Sequence, residues 1–148
     1  MAKTTFKGPV NATNGFKIND VAVAASCSVA YAASATTDGI EATITVLDGE
    51  GNAIAAIHTL EVYISDDADG AGLTATAASG ALTAATGTIL SAHTAKKHVS
   101  CNTAATGIAT LLLVDSANTA GERFCVKVPS TGKVVVGAAT VAGDYEGG

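Results

Sequence analysis

Between residues 40 and 65 the chain carries two runs in which apolar and polar positions alternate. In the first, Ile40, Ala42, Ile44 and Val46 alternate with Glu41, Thr43, Thr45 and Leu47; in the second, Leu60, Val62 and Ile64 alternate with Glu61, Tyr63 and Ser65. A period of two is the pattern of a β-strand with one buried face. An acidic glycine turn, Asp48-Gly-Glu-Gly-Asn52, joins the runs, and residues 54–57 bridge to the second. Further strands are predicted at 108–114, at 124–128, where Phe124, Val126 and Val128 alternate with Cys125 and Lys127, and at 133–141. Pro129-Ser-Thr-Gly132 supplies the turn between the last two.

Residues 21–31, rich in Val, Ala and Ser, add a first strand or two. The stretch 66–94 is almost wholly Ala, Thr, Gly and Ser, with Leu73, Leu82, Ile89 and Leu90 as its sizeable apolar anchors. It is long for a structureless connection, so it forms short strands of its own or is a functional excursion. No segment repeats apolar residues at helical spacing. Together these runs predict an all-β chain, an antiparallel sandwich or barrel, with no helix longer than about three turns.

Residues 1–20 read as an extended arm, because Gly8-Pro9 and Asn14-Gly15 interrupt both helix and strand. Phe6, Val10, Phe16 and Ile18 dot this arm, and two of the chain's three Phe lie in it. Such spacing suits an extended segment that pins itself to a neighbouring surface or folds back on its own domain. The β-domain then covers 21–142, and 143–148 is a tail that is solvated or partner-bound.

At 148 residues the chain fits one domain. Its apolar fraction of 48% consists largely of alanine, with 4% aromatics and no Trp, which predicts a thin core of Val, Ile and Leu. A formal charge of −5 repels a phosphate backbone, so nucleic acid is not an expected partner. No apolar stretch is long enough to span a membrane and no signal peptide is read at the N-terminus, which predicts a soluble chain made in a reducing cytoplasm. Cys27, Cys101 and Cys125 are odd in number and outside any CxxC spacing, so they read as reduced core thiols.

Candidate chemistry is sparse. Ser65-Asp-Asp-Ala-Asp-Gly70 matches the start of a calcium loop, since hard cations need carboxylates converging on a tight turn, but Thr76 stands where the terminal bidentate Glu belongs. Asp66, Asp67 and Asp69 are therefore a weak metal candidate and first of all a solvated acidic turn. His58, His93 and His98 are common ligand and base types, yet the spacing of His93 and His98 suits neither a strand nor a helix face, and loop histidines are the expectation. No nucleophile elbow, activated Cys or phosphate-cradling Gly loop is present, so neither a catalytic residue nor a cofactor is expected.

The segments Thr43-Ile-Thr-Val-Leu-Asp-Gly-Glu-Gly-Asn52, His58-Thr-Leu-Glu-Val-Tyr-Ile-Ser-Asp-Asp67, Gly72-Leu-Thr-Ala-Thr76 and Thr106-Gly-Ile-Ala-Thr-Leu-Leu-Leu-Val-Asp115 resemble the immunoglobulin-like domains of tailed-phage virions. Phe6-Lys-Gly-Pro-Val10 followed by Asn14-Gly-Phe16 resembles the opening of small phage head proteins. The resemblance implies an immunoglobulin-like antiparallel β-sandwich in a capsid cement or decoration protein. Such a protein is made in the host bacterial cytoplasm, lies on the capsid exterior and binds the major capsid protein, as a homo-oligomer with a trimer as one possibility. Phe6, Val10 and Phe16 would then be docking anchors. Two other readings stay open: a tail, fibre or baseplate protein, and a surface module gripping host glycans through Tyr63, Asp66, Asp67 and Asp69.

Overall fold

The computed structural model describes residues 17–18, 21–128 and 130–147. Eleven strands follow in order: β1 (Lys17–Ile18), β2 (Val21–Ala22), β3 (Ser26–Ala33), β4 (Gly39–Leu47), β5 (Thr59–Ser65), β6 (Thr83–Thr86), β7 (Thr88–Thr94), β8 (His98–Asn102), β9 (Ile108–Val114), β10 (Arg123–Val128) and β11 (Lys133–Val136). One turn of 3-10 helix, Ala142–Asp144, comes last. A five-stranded sheet, β11-β10-β5-β8-β7, faces a four-stranded sheet, β3-β4-β9-β6, and every neighbouring pair is antiparallel. The chain is an all-β sandwich. Of the expected arm, Phe6, Val10 and Phe16 lie outside the described residues, while β1 and β2 pair with each other as a short ladder.

Alternation dictates the core. Ile40, Ala42, Ile44 and Val46 of β4 face Leu60, Val62 and Ile64 of β5 across the interior, and all are fully enclosed. Leu111 and Leu113 of β9 and Phe124, Val126 and Val128 of β10 complete the same cluster. Phe124 meets Tyr31 of the opposite sheet with ring centroids 5.6 Å apart. The Tyr31 hydroxyl donates to Ala138 O (2.8 Å) and accepts from Phe124 N (3.1 Å), tying β3 to the backbone of the other sheet.

Of four expectations, three change. First, the two alternating runs joined by the turn are not neighbours in one sheet: β4 lies between β3 and β9, and β5 between β10 and β8. Two strands that each have one apolar face bury more surface facing one another across a sandwich than lying side by side in one sheet. The acidic turn closes on itself, with Asp48 Oδ1 accepting from the amides of Glu50 and Asn52, and the following segment crosses between sheets with Ile54 buried. Second, and as expected, the long small-residue stretch forms strands of its own, β6 and β7, one run of chain that passes from the four-stranded to the five-stranded sheet at Gly87. Gly87 has φ +88°, and a Cβ there would lie 2.3 Å from Asn102 O.

Third, the last strand stops at Val136, not 141, because at Gly137 the chain bends under the Tyr31 hydroxyl, which a Cβ would meet at 2.4 Å. Fourth, the C-terminal segment is not a solvated tail. Tyr145 is 2% exposed and donates from its hydroxyl to Thr119 O (3.1 Å), while Glu146 exchanges backbone hydrogen bonds with Asp38 and Gly39. Tyr145 is an aromatic core residue that composition alone did not place.

Cys27, Cys101 and Cys125 are free and buried. Burial pushes the thiols of Cys27 and Cys101 up to about 11, with Lys133 drawing Cys27 slightly back, so almost no thiolate exists at neutral pH. A thiol reagent is expected to react slowly with the folded chain and with all three cysteines in denaturant without reductant. A count of one after unfolding would reveal a disulfide.

Candidate functional site

The two outer faces of the sandwich differ in charge. On the five-stranded sheet the residues alternating with the core include Glu61, Tyr63, His98, Ser100, Arg123 and Lys127. Lys127 and Glu61 form an ion pair at 3.3 Å, both side chains substantially exposed, so its contribution is small. On the four-stranded sheet, strands β3, β4, β6 and β9 carry a single charged residue between them, Glu41. Their outward positions are Ser28, Ala30 and Ala32 on β3, Thr43 and Thr45 on β4, Thr83 and Thr86 on β6, and Ile108, Thr110 and Leu112 on β9. The hydroxyls of Thr43 and Thr110 approach to 3.5 Å at its centre. The β3 and β6 positions of this patch of small hydroxyl and aliphatic groups are exposed, Thr43, Thr45, Ile108 and Leu112 are half-buried, and Thr110 is 9% exposed.

The acidic turn lies at one end of the charged face. Tyr63 donates to Gly70 O (2.7 Å), so the turn folds over β5 and covers Cys125; a Cβ on Gly70, at φ +73°, would lie 3.0 Å from its Sγ. Asp67 Oδ1 accepts from the amides of Asp69 (2.8 Å) and Ala71 (3.2 Å), which hold its carboxyl below the usual range. Asp66 Oδ2 accepts from Ala75 N (3.1 Å). These carboxylates organise their own loop backbone. Asp69 is exposed, and among the described residues no three His, Cys, Asp or Glu side chains are grouped to hold a metal ion. Melting with and without a chelator is therefore expected to give the same midpoint. A drop of several degrees on chelation would return the turn to the metal candidates.

The same geometry bears on Tyr63, Asp66, Asp67 and Asp69 as a polar grip. Three of the four already spend hydrogen-bonding groups on the loop itself. Tyr63 presents its ring to His98 edge-on, with centroids 6.0 Å apart, not as an open platform.

The histidines are arranged differently from the expectation of loop residues. His93 is on β7 and His98 on β8, and a bulge between Ala92 and Thr94 places His93 beside His98, ring centroids 4.6 Å apart. The register of a hairpin with a bulge brings together residues that neither a single strand nor a helix would. His93 Nε2 contacts Ser100 Oγ at 2.6 Å. Burial first, then the neighbouring His93, holds His98 below the ordinary imidazole value, favouring its neutral form. His58 is remote on the crossover, half-buried, with its backbone amide donating to Thr103 Oγ1 (2.9 Å).

A buried carboxyl that sequence reasoning missed lies beneath the excursion 66–82. Glu122, just before β10, is 3% exposed and its Oε1 lies 2.9 Å from Thr74 Oγ1. Nothing in the local sequence Ala120-Gly-Glu-Arg123 marks Glu122 as buried, because the cover comes from residues far away in the chain. Among the described residues no helix is long and apolar enough to cross a membrane. Comparison with protein families, with curated proteins and with solved structures finds no match to this chain.

Proposed function

We propose that this chain is a virion structural protein that binds the outer surface of a tailed-phage head and stabilises contacts between major capsid protein subunits. The observation that supports an adhesive role is the nearly charge-free outer face of the four-stranded sheet. The centres of protein interfaces are depleted in charge, whereas a surface facing only solvent has no reason to be. With ~4.8 Å between strands and ~3.3 Å per residue, strands of 8, 9, 7 and 4 residues make a patch of about 440 Å². That is less than the ~800 Å² per partner of a standard stable interface. One copy on this face alone binds weakly, and a cement protein compensates by repetition over a symmetric shell and by a homo-oligomer, a trimer being the simplest at three-fold positions.

The arm supplies the rest of the contact. Burying Phe6 and Phe16 against the capsid would contribute about 3–6 kcal/mol per copy before ordering costs. The resemblance to phage immunoglobulin-like domains supports the virion setting.

The test is cosedimentation of the purified chain with assembled heads that lack it. Thr43→Lys with Thr45→Lys places two charges on the face, and deletion of residues 1–18 removes the anchors Phe6, Val10 and Phe16 with most of the arm. Each variant is expected to stay folded by circular dichroism and to lose at least about tenfold in head affinity, since either change removes more than about 1.4 kcal/mol of contact. Wild-type chain that fails to bind heads but binds tails or glycans would overturn the proposal.

A further inference from the structure

We propose that Glu122 is held in its acid form and latches the excursion 66–82 to the sandwich, so that the loop loosens as pH rises. The argument is a count of protons. Thr74 Oγ1 lies 2.9 Å from Glu122 Oε1 and 3.2 Å from Thr76 O. A hydroxyl carries one hydrogen, and both neighbours are acceptors when Glu122 is ionised, so only one of the two hydrogen bonds can then form. With a proton on Glu122 Oε1 both form: Glu122 donates to Thr74 Oγ1, and Thr74 donates to Thr76 O. The chain of two hydrogen bonds holds the loop at Thr74 and at Thr76.

Three further observations agree. Among the described residues Glu122 Oε2 is buried without a hydrogen-bond partner, a position far less costly for a neutral carboxyl oxygen than for half of a carboxylate. Burial raises the carboxyl above its usual value and outweighs the hydrogen bond to Thr74, which lowers it, while the like charges of Asp115 and Asp66 act in the same direction as burial. Lys97 opposes them, but its ammonium donates to Thr74 O (2.8 Å) and Ala75 O (2.9 Å), on the loop itself. Asp115 is kept ionised: burial pushes its carboxyl up, but hydrogen bonds from Thr119, Ala117 and the Ser79 side outweigh this and leave it lowered. Tyr145, the remaining titratable neighbour, is a phenol pushed up to about 12 by burial and stays neutral.

The sign follows from linkage. A carboxyl with a raised folded value binds more protons folded than unfolded. Its contribution is complete below the ordinary carboxyl range and is lost as pH rises through the folded value. Asp66 Oδ2 also faces the loop, accepting from Ala75 N at 3.1 Å.

The experiment is hydrogen exchange of the Thr74, Ala75 and Thr76 amides in the full chain from pH 5 to 8, corrected for intrinsic rates, in wild type and Glu122→Gln. Gln is a neutral isostere whose amide can donate to Thr74 Oγ1. In wild type, protection is expected to fall about tenfold across the range, the effect of losing one hydrogen bond from a local latch. In Glu122→Gln it is expected to stay level. Parallel profiles in the two proteins would overturn the proposal. If the variant does not fold, the carbon-13 titration of the Glu122 carboxyl in wild type decides: a midpoint at or below the ordinary 4.5 overturns the latch, and a higher one supports it.

Discussion

Gly107→Ala is expected to cost more than about 4 kcal/mol, a large share of the ~5–15 kcal/mol that stabilises a domain of this size. Gly107 lies in the turn between β8 and β9 with φ +77°, a left-handed conformation that costs an L-residue ~1–2 kcal/mol before any contact is considered. The larger cost is steric. A Cβ would lie 1.8 Å from Ile54 O and 2.9 Å from its carbonyl carbon. That carbonyl has nowhere to retreat, because Ile54 N donates to Val46 O (3.0 Å) and the Ile54 side chain is buried between the sheets. Val46 N in turn donates to Gly107 O (3.0 Å), so moving the turn breaks the contact between crossover and sheet. Urea unfolding measures the effect, with Gly51→Ala as the control. Gly51 also has positive φ, at +87°, but nothing near its Cβ position, so only the conformational cost is expected. Equal losses for the two variants would refute the steric account.

Tyr145→Ala is expected to cost about 3–5 kcal/mol, the range for emptying a buried aromatic site. Tyr145→Phe is expected to cost about 1 kcal/mol or less. The difference follows from what each change leaves behind. Alanine opens a cavity under the C-terminal turn and releases the segment whose backbone bonds hold the Asp38–Gly39 corner at the start of β4. Phenylalanine removes only the hydroxyl. Its acceptor, Thr119 O, keeps the hydrogen bond from Thr140 Oγ1 at 3.0 Å. Equilibrium unfolding of both variants checks the ranking, and a Tyr145→Ala loss below 1 kcal/mol would mean that the C-terminal turn is peripheral to the fold.

Much of the sandwich was legible in the sequence, because period two is a direct imprint of one-sided burial. Val46 and Ile64 could be assigned to the interior before any partner strand was known. Partners were not legible: alternation states which face of β4 is covered, not whether β5 lies beside it or across from it. The rhythm of 133–141 looked continuous because Val134, Val135, Val136, Thr140 and Val141 carry β propensity on both sides of Gly137, while the feature that ends β11 is the Tyr31 hydroxyl arriving from the other sheet. Tyr145 among glycines, and Glu122 between two loops, gave no local signal, since both are buried by residues distant in the chain. His93 and His98 meet through a hairpin bulge that no fixed spacing encodes. The acidic turn was legible as a turn, and its carboxylates serve the loop backbone.

The strand pairing also sets when this chain can fold. Ile44 of β4 is matched to Ala109 of β9, and Val62 of β5 to Val126 of β10, so the central ladders of both sheets join residues far apart in the chain. Loop closure over such spans must precede the contacts that reward it, and sequences of this kind fold in milliseconds to seconds rather than microseconds. During synthesis β4 and β5 leave the ribosome with apolar faces and no central partner until β9 and β10 follow. The interval exposes strands with no charge or a single one, such as β3 and β4, to their copies on neighbouring ribosomes, making high-level expression the condition under which this protein aggregates first.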